Sequence, residues 1–270
     1  MFDLPQEYND AAKDSMKGAT AGVSCPYPAP EMYWRNGDTA LSAVKEISDA
    51  RRFGGWGIDR KAMSQLIGAP EKLPITWQLF EGLTGKTSGE TYDAYMTRSA
   101  WVAPIVRRYR WNDFSNRSEV QYLCYFAESV EKVMTPWGFV IVSAKSLDTK
   151  VLDGLFRDFE NKTNDLRGTT RTNFFYNPIG TFGQTPMFET RGKGNKTSQV
   201  TPPQLFVPQG GYTVDLLKSC FVGQDIAAEI YVAINNPATK AWADDWNKKT
   251  AKVEAQQQVE EANPFDLDPM

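Results

Sequence analysis

Four stretches of the chain, Ile75 to Phe80, Ala100 to Trp111, Val120 to Phe126 and Trp137 to Ser143, are dense in aromatic and β-branched residues, which extended backbone accommodates best. A β-dominated body follows. Leu147 to Phe159 breaks the run, because Val151, Leu152, Leu155, Phe156 and Phe159 recur at helical spacing and predict one amphipathic helix. Gln204 to Val207 and Tyr212 to Leu217 read as further strands, and Ile226 to Ile234 fits helix or strand equally. Asn236-Pro237 stops whatever precedes it. Ala238 to Val253 then predicts a helix with Trp242 and Trp246 at i, i+4, on one face. The expected fold is a β-dominated α+β domain, a small OB-like barrel with one or two helices and a disordered acidic C-terminal tail.

Residues 1–30 form a polar lead-in that ends in the proline-punctuated Cys25-Pro-Tyr-Pro-Ala-Pro, which cannot be a regular helix. The body runs over 31–253. It opens with Tyr33-Trp34-Arg35 before an Asn36-Gly37 turn signal, a short helical pattern over Leu41, Val44 and Ile47, and the glycine-rich Phe53-Gly54-Gly55-Trp56-Gly57. Residues 254–270 are too polar and proline-broken to pack. No internal repeat is visible.

The chain has no histidine, so the commonest general base and metal ligand is missing and no Ser-His-Asp or Cys-His pair can form. Neither GxxxxGK[ST] nor GxGxxG occurs. A non-enzymatic protein without cofactor or metal is the expectation. Three cysteines, Cys25, Cys124 and Cys220, stand about 100 residues apart, a spacing that fits neither a disulfide framework nor a clustered zinc site. With no apolar run of membrane-spanning length and no signal-peptide pattern, the expected location is the cytoplasm.

A net charge of -3 disfavours a nucleic-acid ligand until its distribution is considered. From Asp244 to Met270 seven acids face three lysines, leaving that end at -4 and the remainder at +1. Arg98 to Arg117 then stands out, with five arginines against Asp113 alone and Trp101, Tyr109, Trp111 and Phe114 among them. Rings stack on bases and guanidinium groups meet phosphates, so Trp101, Arg107, Arg108, Tyr109, Arg110 and Trp111 are candidate contacts. Strand alternation sends Arg108 and Arg110 to one face and Arg107, Tyr109 and Trp111 to the other. The bland alternative is aromatic core on one side and solvated arginines on the other.

A second stretch, Lys162 to Gln199, places Arg171, Arg191, Lys193 and Lys196 among five aromatic rings, with a glycine-spaced loop, Arg191 to Lys196, able to approach a backbone closely. Its competing reading is a solvated hairpin tip. Arg52 and Trp56 complete the candidate nucleic-acid contacts, against a glycine-rich turn with a packed Trp.

Glu260-Glu261 precedes Asn263-Pro264-Phe265-Asp266-Leu267-Asp268 at the C-terminal end. This acidic Pro-Phe tip resembles that of bacterial and phage single-stranded DNA-binding proteins, the divergent phage or plasmid versions above all, over about ten residues. The resemblance implies a docking tip for replication, repair or transcription proteins, in which Pro264 and Phe265 fill an apolar pocket and Asp266 and Asp268 meet basic residues. Phe265 is not terminal, unlike the cellular bacterial pattern, so a pocket gripping a terminal carboxylate is denied it.

Together these features predict a non-sequence-specific single-stranded DNA-binding protein of replication or recombination, with no membrane partner and scope for homo-oligomers. RNA is not separable from DNA by sequence. The alternative is a phage or mobile-element structural or assembly protein that binds no nucleic acid. A metal-dependent enzyme would have to use Asp38, Asp59 or Asp113, for which no committing spacing exists.

Overall fold

The computed structural model describes residues 23–35, 54–67, 73, 76–84, 91–112, 117–130, 133–145, 147–170, 177–179, 187–191, 196–200, 202–205, 207 and 209–246. The strands are β1 (Glu31–Arg35), β2 (Gly55–Asp59), β3 (Gln78–Thr84), β4 (Thr91–Thr97), β5 (Ala100–Asn112), β6 (Arg117–Val130), β7 (Val133–Lys145), β8 (Asn177–Ile179), β9 (Met187–Arg191) and β10 (Lys196–Val200). The helices are α1 (Arg60–Ile67), α2 (Leu147–Thr170), α3 (Val214–Ser219), α4 (Gln224–Asn235) and a fifth, α5, over 237–246. The four predicted extended stretches fall on β3, β5, β6 and β7. The chain is a β-dominated α+β protein, and no described helix is long and apolar enough to cross a membrane.

Eight strands form one mixed sheet in the order β3-β4-β2-β1-β7-β6-β5-β8, in which only β1 and β7 run parallel. Strands β9 and β10 make a separate hairpin. The expected small barrel is therefore corrected to an open sheet, with β3 and β8 as its edges. The physical reason lies in the side chains, since β5, β6 and β7 carry apolar residues on both faces and helices cover each.

On the first face Met32, Trp34, Trp56, Ile58, Val120, Cys124, Phe126, Val140 and Val142 pack with Met63 of α1 and Leu152, Leu155 and Phe156 of α2. Asp59 starts α1, its Oδ1 accepting from the Lys61 and Ala62 backbone N–H groups at 2.9 and 3.2 Å. On the second face Ala103, Tyr125 and Ala127 meet Ile230 of α4, while Leu123, Ile105, Phe139 and Ile141 meet Trp242 and Ala243 of α5. Tyr27 in the segment before β1 stacks on Phe139 at 4.3 Å, which ties the lead-in to this face.

One sequence expectation fails locally and one open alternative is decided, both for capping reasons. Tyr212 to Leu217 is not a strand but the start of α3, because Thr213 takes the N-cap position and its side chain accepts from Leu216 N–H at 3.2 Å. Ile226 to Ile234 is helical, and Asn236 ends it by capping α5, accepting from Ala238 N–H at 2.9 Å with Pro237 at the first helical position. Five described helices thus replace the expected one or two. The Leu41, Val44 and Ile47 pattern lies outside the described residues.

Candidate nucleic-acid interface

Which face an arginine of β5 reaches is decided by a register shift against β6 between Pro104 and Val106. Before it Ala100 and Val102 join the first-face core; after it Arg108, of the same parity, reaches the second face. The predicted separation of Arg108 and Arg110 from Arg107 and Tyr109 holds. What each arginine meets there is protein.

Arg108 is buried, and its guanidinium carbon lies 3.9 Å from the ring centres of both Trp242 and Trp246. Its Nε and Nη2 groups donate to Gln121 Oε1 at 2.9 and 2.6 Å. Burial, and then the neighbouring charge of Arg110, lower its pKa to about 10, which leaves it a cation at neutral pH. The Arg110 guanidinium also lies over the Trp246 ring, at 3.9 Å, and pairs with the buried Glu119 at 2.6 Å, whose second oxygen lies 3.5 Å from Lys145 Nζ. Helix α5 thus occupies the second-face arginines.

Arg107, on the first face, grips Asp153 of α2 through Nε at 3.0 Å and Nη2 at 2.7 Å, and Tyr122 donates to the same carboxylate at 2.6 Å. The Asp153 pair raises the Arg107 pKa, and burial followed by Asp153 raises that of Tyr122. Tyr109 lies half-buried against the first-face core with Arg107 5.2 Å from its ring centre. The side chains of Arg107 and Arg110 are 42% and 38% exposed.

Trp56 requires correction. Its ring is wholly buried, edge-on to Trp34 at 4.9 Å, and Gly55–Asp59 is an interior strand rather than a glycine-rich turn. Gly55, at φ +121°, permits this, since a Cβ there would lie 2.3 Å from the Thr97 carbonyl oxygen. Trp101 is half-buried where α3 and α4 approach the sheet. Trp111 is placed by backbone register opposite Ser118. Arg191 and Lys196 are Cα partners at the closing end of the β9–β10 hairpin, flanking Lys193 in sequence. Arg52, Arg171 and Lys193, with Pro264, Phe265, Asp266 and Asp268, lie outside the described residues.

A cluster that sequence reading missed lies on the second face of the other half-sheet. Met32 and Trp34 of β1 enter the first-face core, so Tyr33 and Arg35 face the opposite way. Arg35 Nη2 donates to the Tyr92 hydroxyl of β4 at 2.8 Å, and the Tyr33 hydroxyl donates to the same oxygen at 3.2 Å. Burial, then the hydrogen bond to Tyr92, push the Tyr33 pKa up, so it stays a neutral donor. The alternation of Trp34 between Tyr33 and Arg35 was a legible signal of this arrangement.

Between the halves Glu31, Arg110, Glu119, Gln121, Ser143 and Lys145 line a polar pocket of ≈ 140 Å³. Glu119 pairs with two cations there, and Glu31 accepts from the Ser143 hydroxyl at 2.5 Å. Among the described residues no group of three or more acids or cysteines is arranged to hold a metal ion. No protein-family model, no curated protein and no solved structure matches this chain.

Proposed function

We propose that the protein binds single-stranded DNA without strong sequence preference, as a cytoplasmic participant in replication or recombination, and that its acidic C-terminal segment docks partner proteins through Pro264, Phe265, Asp266 and Asp268. The observation that carries this reading is the β9–β10 hairpin, where Arg191 opposes Lys196 and Lys193 falls in the connection between them. Its two strands hold one acid, Glu189, paired across from Ser198. A basic turn of this kind displaces condensed cations from a phosphate backbone without reading bases. The partly exposed Arg107 and Arg110 add to it.

Fluorescence anisotropy of labelled single-stranded and duplex DNA across a salt series tests the reading, with the full chain and a version ending at Val253. Expected are single-strand preference, a log-log salt slope of about -2 from the three hairpin cations, and tighter binding once the acidic segment is removed. No binding by either version at low salt overturns it.

A second reading, a phage or mobile-element assembly protein, is favoured by the outward face of α4, where Tyr231 and Val232 are 62% and 64% exposed beside the exposed Ala228. It requires self-association without nucleic acid. Light scattering of the wild type and of Val232→Lys decides it, since a monomer at all concentrations excludes this role.

A further inference from the structure

We propose that Arg35 and Tyr92 form a phosphate seat on the second face of the sheet, in the half built by β1, β2 and β4, and that a phosphodiester of single-stranded nucleic acid occupies it. This rests on the nucleic-acid reading above and locates a contact that the hairpin does not supply.

The hydroxyl of Tyr92 accepts from both Arg35 and Tyr33. A phenol has two lone pairs and one proton, so with both pairs taken the Tyr92 proton is directed away from these partners and is available to an outside acceptor. Arg35 gives N–H groups to the hydroxyls of Tyr92 and Tyr33 and keeps others of its five for a ligand. Among the described residues no carboxylate forms an ion pair with Arg35, whereas Arg60 meets Asp93 and Glu81, Arg107 meets Asp153, and Arg110 meets Glu119. The half-buried guanidinium thus meets no carboxylate among the described residues and keeps donors beside the outward phenolic proton of Tyr92. That combination suits an oxyanion with several acceptor oxygens.

The surroundings favour a chain phosphate over a small free anion. Arg35 and Tyr33 lie opposite Gly55 and Gly57 in register. Tyr33 rests against Gly57, where a Cβ would come within 2.9 Å of its ring. Helices α4 and α5 cover β5, β6 and β7 on this face, so the seat lies on the sheet to one side of them. An aromatic ring next to a cation on a sheet surface is how proteins hold a base beside its own phosphate.

The test uses the full chain and labelled oligothymidine in anisotropy titrations over a salt series, with Arg35→Gln, Arg35→Lys and Tyr92→Phe. Arg35→Gln is expected to weaken binding about tenfold and to reduce the salt slope by about 0.7. Arg35→Lys keeps the slope and loses part of the affinity, because it keeps the charge without the fork; Tyr92→Phe loses several-fold. Thermal melting sets aside any variant that does not fold, and Tyr92→Phe removes a single oxygen. Wild-type binding left unchanged in affinity and slope by all three variants overturns the seat while the hairpin reading stands. Failure of the wild type to bind at low salt overturns both.

Discussion

The guanidinium of Arg108 sits 3.9 Å from the centre of the Trp242 ring, and from there the stack continues through Trp246 to Arg110. Two arginines of β5 and two tryptophans of α5 alternate in one ladder. The residue types that mark a single-strand interface in sequence here hold the last described helix onto the sheet, and each cation–π step contributes about 1 to 2 kcal/mol when partly desolvated.

Arg108→Ala should therefore act on stability rather than on affinity. Loss of two ring contacts and of the Gln121 hydrogen bonds is expected to cost roughly 2 to 4 kcal/mol in urea unfolding followed by tryptophan fluorescence. Single-strand affinity of the folded variant should match the wild type. A variant of unchanged stability and diminished affinity would show instead that Arg108 reaches the ligand.

Asp153 offers a complementary test, because it holds both Arg107 and Tyr122. Asp153→Asn keeps the shape and removes the charge, and an expected loss of about 1 kcal/mol reflects a bidentate pair whose arginine is partly solvated. Relieved of its carboxylate, Arg107 becomes a better phosphate contact. Single-strand affinity should hold or rise in anisotropy; a fall would place Asp153 itself at the ligand.

The strands were legible because aromatic and β-branched density survives any topology, and α2 because Leu152, Leu155, Phe156 and Phe159 keep a helical period. Closure was not legible. Whether a sheet curls into a barrel or lies between helices depends on what its second face meets, and Tyr125 meets α4, and Leu123 and Ile141 meet α5, only through contacts distant in sequence. The arginine alternation on β5 was read correctly, yet its partners were hidden, since Asp153 lies 46 residues away and the Trp246 ring well over a hundred. Composition could show that arginines and rings were present. It could not show that they were already stacked on one another, nor that Arg35 would be a cation with no ion pair among the described residues.

Two glycines should respond to alanine with opposite signs. At Gly55 the backbone has φ +121° and a Cβ would lie 2.3 Å from a fixed carbonyl oxygen of β4, so Gly55→Ala is expected to cost more than about 2 kcal/mol. Gly154 lies inside α2 with nothing within 4 Å of its Cβ position. Gly154→Ala should stabilise by roughly 0.5 to 1 kcal/mol, since it removes unfolded-state freedom and exposes nothing new. Parallel urea titrations read both; equal signs would mean that β2 and β4 separate more easily than their register implies.

Stability should fall steeply in alkali and stay level near neutrality. Burial raises the thiols of Cys25, Cys124 and Cys220, the last to about 11, and the phenols of Tyr33, Tyr122, Tyr125 and Tyr212, with Tyr125 and Tyr212 at about 12. Each is an acid that the folded chain keeps protonated after the unfolded chain has released its proton. Between the unfolded values, about 8.5 for a thiol and about 10 for a phenol, and the folded ones, the unfolded state holds fewer protons and stability declines as pH rises. Arg108, lowered to about 10, has the opposite sign, a single group against seven. With no histidine in the chain, no imidazole titrates between about pH 6 and pH 8. Urea midpoints should therefore be level up to about pH 8 and then drop through pH 10 and 11, while the phenolate absorbance of Tyr33, Tyr122, Tyr125 and Tyr212 appears in step with unfolding rather than before it. A phenolate signal complete by about pH 10.5 in the folded protein would mean that these hydroxyls are open to water.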